Sequence, residues 1–164
     1  MATSRFASPI GDLVMTASDS GLTGVWFPGQ GPVAAARPND GRGAASTLLA
    51  RASEQLAEYF AGTRTAFDVP LDAGGTPFER RVWDALRAIP YGTTVSYGEV
   101  ARRLGDLRAT RAVGAANGKN PIPIIVPCHR VIGANGALTG FGGGLDRKRW
   151  LLEHEGALTR AIFS

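Results

Sequence analysis

The sequence predicts an α+β fold in which a small N-terminal sheet-and-helix domain (residues 1–72) and a linker (73–75) precede a mostly helical C-terminal domain (76–164) with a winged-helix-like helix-turn-helix. Short β-prone runs dominate the first third, whereas helix-start signals and apolar residues at helical spacing dominate the rest. The length of 164 residues fits one domain or two small ones with a real core. Hydrophobic content of 44% and charged content of 20% are ordinary for a folded protein.

The predicted N-terminal sheet begins with a hairpin. Residues 13–17 and 22–27 are short β-prone runs, and the Ser-Asp-Ser-Gly segment between them is typical of a turn. Residues 28–43 are rich in Gly, Pro and Ala and show no periodicity, which predicts a mobile loop.

A helix and a further strand complete the predicted first domain. Ser46 is the expected N-cap of a helix that runs to about residue 61 and stops at Gly62, with its apolar residues on one side. Residues 67–71 alternate in polarity like a strand, and Pro70 suits an edge position because proline cannot donate a backbone hydrogen bond.

The second part of the chain carries three helix starts. Residues 76–79 (Thr-Pro-Phe-Glu) combine a Thr N-cap, Pro at the first helical position and Glu three residues after the cap. Residues 96–99 (Ser-Tyr-Gly-Glu) repeat the capping-box pattern, and a second short helix at 109–117 follows a Gly-containing turn, which predicts the helix-turn-helix. Asp146 is the expected N-cap of a final helix that ends at Gly156.

Composition excludes several classes of protein. No apolar stretch approaches the roughly 20 residues of a membrane helix, and the N-terminus lacks a secretory pattern, so we expect a cytoplasmic protein, associated with the nucleoid in a prokaryote. The single cysteine, Cys128, excludes an intrachain disulfide and suits a reducing compartment. With Cys128, His129 and His154 as the only soft ligands, we expect neither a metal site nor a cofactor.

Basic residues are distributed unevenly along the chain. Residues 91–150 carry nine basic and three acidic residues, whereas the rest of the chain carries nine basic and 11 acidic residues. A basic half suggests a polyanionic partner. An arginine-rich solvated surface explains the same counts, so charge alone leaves both interpretations open.

Cys128 is followed directly by His129 and Arg130 within an apolar run. An inert core thiol is the commoner role for a lone cysteine. A thiol with a pKa of about 8.5 is only slightly ionised at neutral pH, so a nucleophilic cysteine needs a nearby base or cation, and His129 and Arg130 offer one of each. Neighbouring side chains diverge, so contact between Cys128 and His129 requires a tight turn or a bridging water. With no second thiol to release an adduct, the segment predicts an acceptor that reacts once.

Here the sequence resembles a known family. Residues 127–131 (Pro-Cys-His-Arg-Val), preceded by Asn120-Pro121 and followed by a glycine-rich loop and the His-Glu-Gly of 154–156, resemble the O6-alkylguanine-DNA alkyltransferases over roughly residues 76–157. The resemblance implies irreversible, stoichiometric transfer of the alkyl group of O6-alkylguanine in duplex DNA to Cys128 after base flipping. The resemblance also suggests O4-alkylthymine as a second substrate, and it implies a monomer that binds DNA through the minor groove.

The same resemblance assigns roles to individual residues. Cys128 accepts the alkyl group, His129 acts as a base through a water, Glu155 orients His129, and Asn120 ties the preceding turn to the active-site segment. The implied substrate pocket contains Tyr97, Val131, Phe141 and Gly142, and the implied DNA-binding residues are Arg111, Tyr97, Ala109, Ala112 and Gly114. Arg111 would fill the vacated base stack, and Phe141 replaces the tyrosine often found at its position. Residue type alone favours a solvated carboxylate for Glu155, a surface arginine for Arg111 and a half-buried aromatic for Tyr97.

Two other functions remain open on the sequence. One is a non-catalytic helix-turn-helix protein that recognises DNA lesions and recruits repair factors, with Cys128 merely lining a pocket. The other is a Cys-His peptidase, which the adjacent histidine and the basic, glycine-rich surroundings do not suit. A peptidase would turn over many substrate molecules, whereas a one-time acceptor would stop after one equivalent of substrate per chain.

Overall fold

The computed structural model describes residues 2–31, 37–38 and 41–158, with residues 37–38 described by their backbone alone. Contacts divide the chain into two compact units, the first formed by Met1–Gly74 with Pro121–Pro123 and the second by Gly75–Asn120 with Ile124–Ser164. The short segment 121–123 therefore belongs to the first unit although both of its chain neighbours belong to the second. Residues 32–36 and 39–40 of the predicted mobile loop lie outside the described residues.

The first unit is built on a four-stranded sheet. Its strands are β1 (Ala2–Ser8), β2 (Gly11–Ala17), β3 (Leu22–Trp26) and β4 (Arg37–Pro38), in the order β3-β2-β1-β4. The predicted hairpin is β2–β3, an antiparallel pair, and β2 also pairs with β1, which the sequence prediction did not assign. Leu13, Met15 and Ala17 of β2 are buried on one face of the sheet, which places that face against the core, and Thr16 between them is buried as well.

Helix α1 (Gly43–Phe60) supplies the other side of this core, since Leu49, Leu56 and Tyr59 are fully buried. The prediction of Ser46 as its N-cap is wrong. The helix begins at Gly43, one turn earlier, and Ser46 is a buried residue inside it. The side chain of Ser46 is small enough to lie at the core face, so helical periodicity continues through it.

Residues 67–71 do not form the predicted strand. Only Leu71 makes a bridge, to Leu22 at the start of β3, and two backbone hydrogen bonds hold it: Leu22 N to Pro70 O (2.9 Å) and Asp72 N to Leu22 O (2.7 Å). Pro70 has no N–H to donate, so the pairing cannot extend towards residue 67.

The second unit opens with α2 (Pro77–Arg87), whose start follows the sequence prediction. Thr76 Oγ1 accepts from the Glu79 N–H (3.1 Å), and Glu79 Oε1 accepts from the Thr76 N–H (2.9 Å), which is a complete capping box. The buried Trp83 of this helix donates from Nε1 to Ala116 O (2.9 Å). This bond fixes α2 against the second helix of the helix-turn-helix.

The helix-turn-helix consists of α3 (Tyr97–Arg103), a 3₁₀ turn (Leu107–Ala109) and α4 (Thr110–Gly118). Ser96 caps α3 by accepting from the Glu99 N–H (3.0 Å), as predicted. Gly105 ends the helix with φ +89°, a conformation that suits glycine. The short strand β5 (Val95–Ser96) pairs in parallel with β6 (Val131–Ile132), so the start of α3 lies beside the end of the Pro-Cys-His-Arg segment.

The last helix, α5, spans Leu145–His154, and its predicted cap is wrong. Gly144 occupies the N-cap position with φ +92°, and Asp146 lies in the first turn, where a carboxylate still interacts favourably with the helix dipole. The helix buries Lys148, Leu151 and Leu152, and Gly156 follows its end with φ +77°.

Two kinds of feature are absent from the part of the chain that the structure describes. None of its helices is both long enough and apolar enough to cross a membrane. No group of three or more His, Cys, Asp or Glu side chains there could hold a metal ion.

Candidate active site

Cys128 begins a 3₁₀ turn (Cys128–Arg130) that leads directly into β6. The chain from residue 122 to residue 131 is buried throughout, and Cys128 itself is 5% exposed. Ile124, four residues upstream, has φ +73°, and no other non-glycine residue among those described has a positive φ. A β-branched residue in this region is strained, and such strain persists only where the surrounding packing imposes it. The thiol is therefore held in a tightly packed and shielded segment.

The environment of Cys128 keeps its thiol protonated. Burial raises the pKa of Cys128 to about 11, and the Asn120 side chain and the charge of Lys148 oppose this effect only in part. Very little thiolate exists in this structure at neutral pH. Nucleophilic attack by Cys128 therefore requires a group that takes the proton as the reaction proceeds.

His129 is fully buried and pairs with Glu155, since Nε2 lies 2.8 Å from Oε2 of the carboxylate. A carboxylate accepts hydrogen bonds, so this contact places the ring proton on Nε2. Nδ1 has no hydrogen-bond partner among the described residues, which leaves its lone pair available. Burial lowers the pKa of His129 against the opposing effect of Glu155, and the charges of Arg130 and Lys148 lower it further. His129 is thus a neutral base.

Glu155 lies at the C-cap of α5 and is 5% exposed, so it is not a solvated carboxylate at the end of a helix. Burial on its own would raise the pKa of Glu155, but hydrogen bonds from His129 and Arg130 hold it at about 2. The carboxylate is ionised, and its hydrogen bonds to His129 and Arg130 fix its position.

Arg130 does not act as the cation beside the thiol that residue order suggested. Its guanidinium forms two hydrogen bonds to Glu155, Nε to Oε1 (2.8 Å) and Nη2 to Oε2 (3.0 Å). The cation whose charge lowers the pKa of Cys128 is Lys148, on α5.

Lys148 is a site residue that sequence reasoning missed. It is fully buried, and its Nζ donates to Val131 O (2.6 Å) and Thr139 O (2.5 Å). Burial lowers the pKa of Lys148 to about 8, and only a thiolate at Cys128 would oppose that shift. The signal was present in the sequence, because Lys148 precedes the buried Leu151 and Leu152 by three and four residues and so shares their helix face.

Two asparagines hold the backbone around the thiol. Asn120 Nδ2 donates to Val126 O (2.8 Å), which ties the turn at Asn120 to the active-site segment. Asn117, which the sequence prediction did not single out, donates from Nδ2 to Cys128 O (3.4 Å). Together they fix the backbone on both sides of Pro127.

The structure connects part of the predicted substrate pocket through one hydrogen-bond network. Tyr97 Oη donates to Thr139 O (3.0 Å) and accepts from Thr139 Oγ1 (3.2 Å), and the same Thr139 carbonyl accepts from Lys148. Lys148 in turn reaches Val131 O. The first residue of α3, the glycine-rich loop and the end of the Cys128 turn are thereby linked. In that loop, Phe141 is half-buried and Gly142 is exposed.

The predicted DNA-binding residues lie on and beside α4. Arg111 and Ala112 are exposed, whereas Ala109 and Gly114 are half-buried. A Cβ atom at Gly114 would lie 3.8 Å from Cδ1 of Tyr97, so α4 and Tyr97 are close neighbours. The other exposed residues of α4 are small, which leaves Arg111 as its one long exposed side chain.

Family models match both parts of the chain. The ribonuclease-like domain of 6-O-methylguanine DNA methyltransferase matches residues 1–73, and the DNA binding domain of the same family matches residues 77–157.

Individual proteins show the same similarity. The methylated-DNA–protein-cysteine methyltransferase of Methanosarcina acetivorans is 49% identical over 93% of this chain and 96% of its own length. That of Mycolicibacterium paratuberculosis is 64% identical over 107 residues, which is 65% of this chain and 65% of the relative. The crystal structure of Mycobacterium tuberculosis OGT in complex with DNA superimposes with a TM-score of 0.87 at 50% identity, covering 96% of this chain and 94% of that one.

Proposed function

Because this chain belongs to the 6-O-methylguanine DNA methyltransferase family, we propose that it is a methylated-DNA–[protein]-cysteine S-methyltransferase that repairs DNA by one irreversible transfer per molecule. The observation that carries this proposal is the buried Cys128 beside His129, whose Nε2 is held by Glu155 while Nδ1 stays without a partner among the described residues. This arrangement suits a thiol that is deprotonated only during reaction.

The transfer is a substitution at the alkyl carbon of O6-alkylguanine. The Cys128 thiol gives its proton to His129 Nδ1 through a water, and sulfur attacks the alkyl carbon. The bond between that carbon and O6 breaks, a thioether forms, and guanine leaves with the proton that the thiol lost. Glu155 stabilises the imidazolium that forms in between. Release of the alkyl group would need a second nucleophile, and the chain has no second cysteine.

The substrate reaches Cys128 by base flipping. O6 of a stacked guanine lies within the duplex, whereas the thiol is 5% exposed, so the nucleotide has to leave the stack. Arg111 would occupy the vacated position while the small residues of α4 allow the helix to approach the minor groove closely. The DNA complex of Mycobacterium tuberculosis OGT supports DNA as the partner. We place the reaction in the cytoplasm, where a thiol stays reduced, and assign it to a monomer.

The pocket for the flipped base would lie between Tyr97 and the glycine-rich loop. Phe141 would form an apolar wall, a backbone N–H at Gly142 would donate to O6 of the leaving guanine, and the backbone at Val131 would face the exocyclic amine. The hydrogen bond from Asn120 to Val126 O supports a role in holding the Cys128 segment against this pocket.

Intact-protein mass spectrometry tests the proposal. After incubation with a duplex oligonucleotide containing O6-methylguanine, we expect one added methyl group on Cys128, with saturation at one per chain. The matched control is the same duplex with unmodified guanine, which should leave the mass unchanged. An unchanged mass with tight, lesion-selective binding would instead favour the non-catalytic lesion-recognition protein. An oligonucleotide with O4-methylthymine shows in the same way whether that base is a substrate.

A further inference from the structure

Each of the three guanidinium nitrogens of Arg130 donates to an acceptor inside the protein, either the Glu155 carboxylate or the Ile89 carbonyl. Arg130 is 6% exposed, with Nε 2.8 Å from Glu155 Oε1 and Nη2 3.0 Å from Glu155 Oε2. Its third group, Nη1, donates to the carbonyl of Ile89 (2.7 Å), two residues after the end of α2. Arg130 therefore joins the Glu155 carboxylate to the backbone of a separate element.

This geometry restricts the Glu155 carboxylate. A guanidinium that meets both oxygens of a carboxylate fixes its plane as well as its position, which a lysine cannot do. Glu155 Oε2 accepts from Arg130 and also lies 2.8 Å from His129 Nε2. The direction in which Glu155 presents this oxygen to His129 is consequently set by Arg130.

On the basis of the proposed function, we propose that Arg130 is a positioning residue that anchors Glu155 to the Ile89 carbonyl and thereby keeps the His129 ring neutral, with its proton on Nε2. Arg130 touches neither the thiol nor the expected substrate position. It acts on transfer only through Glu155 and His129.

The charges around His129 make this role testable. Arg130 and Lys148 are the cations that act on the ring, and Glu155 is the anion. Cys128 is protonated, and burial followed by the charge of Glu155 raises the pKa of Tyr91, so neither carries charge at neutral pH. Without Arg130, Glu155 loses its bidentate cation, and a proton on His129 becomes the means of balancing it.

The experiment is an NMR titration of histidine-labelled protein, since the chain has only His129 and His154. The variant His154→Gln assigns the two signals. In Arg130→Met, we expect the midpoint of the His129 titration to rise by about one to three pH units, which is the effect of one nearby charge. In Arg130→Lys, which keeps the charge, the midpoint should stay closer to wild type. The matched control Arg87→Met changes an exposed arginine at the end of α2 and should leave the midpoint unchanged.

An unchanged His129 midpoint in folded Arg130→Met would overturn the proposal. If Arg130→Met does not fold, the double variant Arg130→Met/Glu155→Gln, which removes both charges, is compared with Glu155→Gln in a transfer assay instead. Because Arg130 acts through Glu155, its loss should slow transfer to free O6-benzylguanine no further once Glu155 is Gln. A double variant at least tenfold slower than Glu155→Gln would also overturn the proposal. The titration does not depend on alkyl transfer, so a failure of the proposed function would be recognised separately, by an unmethylated wild-type protein.

Discussion

The proposed acceptor site around Cys128 and the exposed surface of α4 belong to the same unit but are built in opposite ways. Around Cys128, the side chains of His129, Arg130 and Glu155 are buried, and both His129 and Arg130 are hydrogen-bonded to Glu155. On α4, Arg111 extends from a helix whose other exposed residues are small. The acceptor site thus has its contacts within the protein, whereas the surface of α4 has its long side chain free to meet a partner.

This difference determines what a substitution changes in each region. In the acceptor site, protonation states depend on buried neighbours, so one altered side chain affects both chemistry and folding stability. On the exposed surface of α4, where we propose that DNA binds, the same kind of change should alter DNA binding and leave the core intact. Substitutions in the two regions should therefore give separable results.

The largest effect is expected from Cys128→Ser. A serine hydroxyl is a far weaker nucleophile than a thiol in this buried setting, so methyl transfer from O6-methylguanine DNA should be abolished. Affinity for the same DNA should stay within about twofold of wild type because the thiol is buried, whereas the side chain of Arg111 is exposed and stays unchanged. Transfer is measured by mass spectrometry, and binding by fluorescence anisotropy. Residual stoichiometric methylation would show that Cys128 is not the acceptor.

Glu155→Gln tests whether a change in the buried network around Cys128 lowers the folding stability of the protein. The change leaves Arg130 buried with no carboxylate, so we expect the free energy of unfolding to fall by about 3–5 kcal/mol. Urea titration followed by circular dichroism measures this difference. The control Glu54→Gln changes an exposed carboxylate of α1 and should change stability by no more than about 0.5 kcal/mol. Equal losses in both variants would contradict the pairing of Glu155 with Arg130.

Arg111→Ala tests the exposed surface. If Arg111 fills the position that the flipped base leaves, its loss leaves that position empty and makes base flipping less favourable by a few kcal/mol. Repair of duplex DNA should therefore slow by about 10–100-fold. Reaction with free O6-benzylguanine should be unchanged, because the acceptor site is intact. Arg108→Ala is the matched control, since this arginine is 94% exposed on the neighbouring 3₁₀ turn. Equal losses on duplex and free base would remove the role of Arg111 in base flipping.

The sequence predicted those elements whose signals are local. The capping box at Thr76 and Glu79 needs only residues three apart, and the β2–β3 hairpin needs only a short turn between two β-prone runs. The N-caps of α1 and α5 were predicted wrongly at Ser46 and Asp146, because a residue type that is common at N-caps also occurs inside the first turns of a helix. In both cases the helix starts earlier, at Gly43 and Leu145.

The candidate site shows the same limit. The motif at residues 127–131 indicated Cys128 and His129, but the pairing of Arg130 with Glu155 joins residues 25 apart and depends on how α5 packs. Lys148 was missed because lysine is usually exposed, although its spacing from Leu151 and Leu152 places it on the buried face of α5. Only the packed structure shows that it lies beside Cys128 and is bonded to two carbonyls.

The smallest expected effect is the pH dependence of transfer to free O6-benzylguanine, which avoids any contribution from DNA binding. Burial lowers the pKa of His129 below its ordinary value, so the ring is a neutral base at pH 7 and becomes charged only in more acidic solution. The rate constant should be flat from about pH 6.5 to 7.5 and should fall by up to about tenfold per pH unit below the pKa of His129.

If the reaction instead required a thiolate that forms before substrate binds, the rate constant would rise tenfold per pH unit from pH 6.5 to 7.5, because the pKa of Cys128 is about 11. The range ends below pH 8 because Lys148 loses its proton near there. Arg111→Ala should give the same profile as wild type, since its side chain lies outside the buried network.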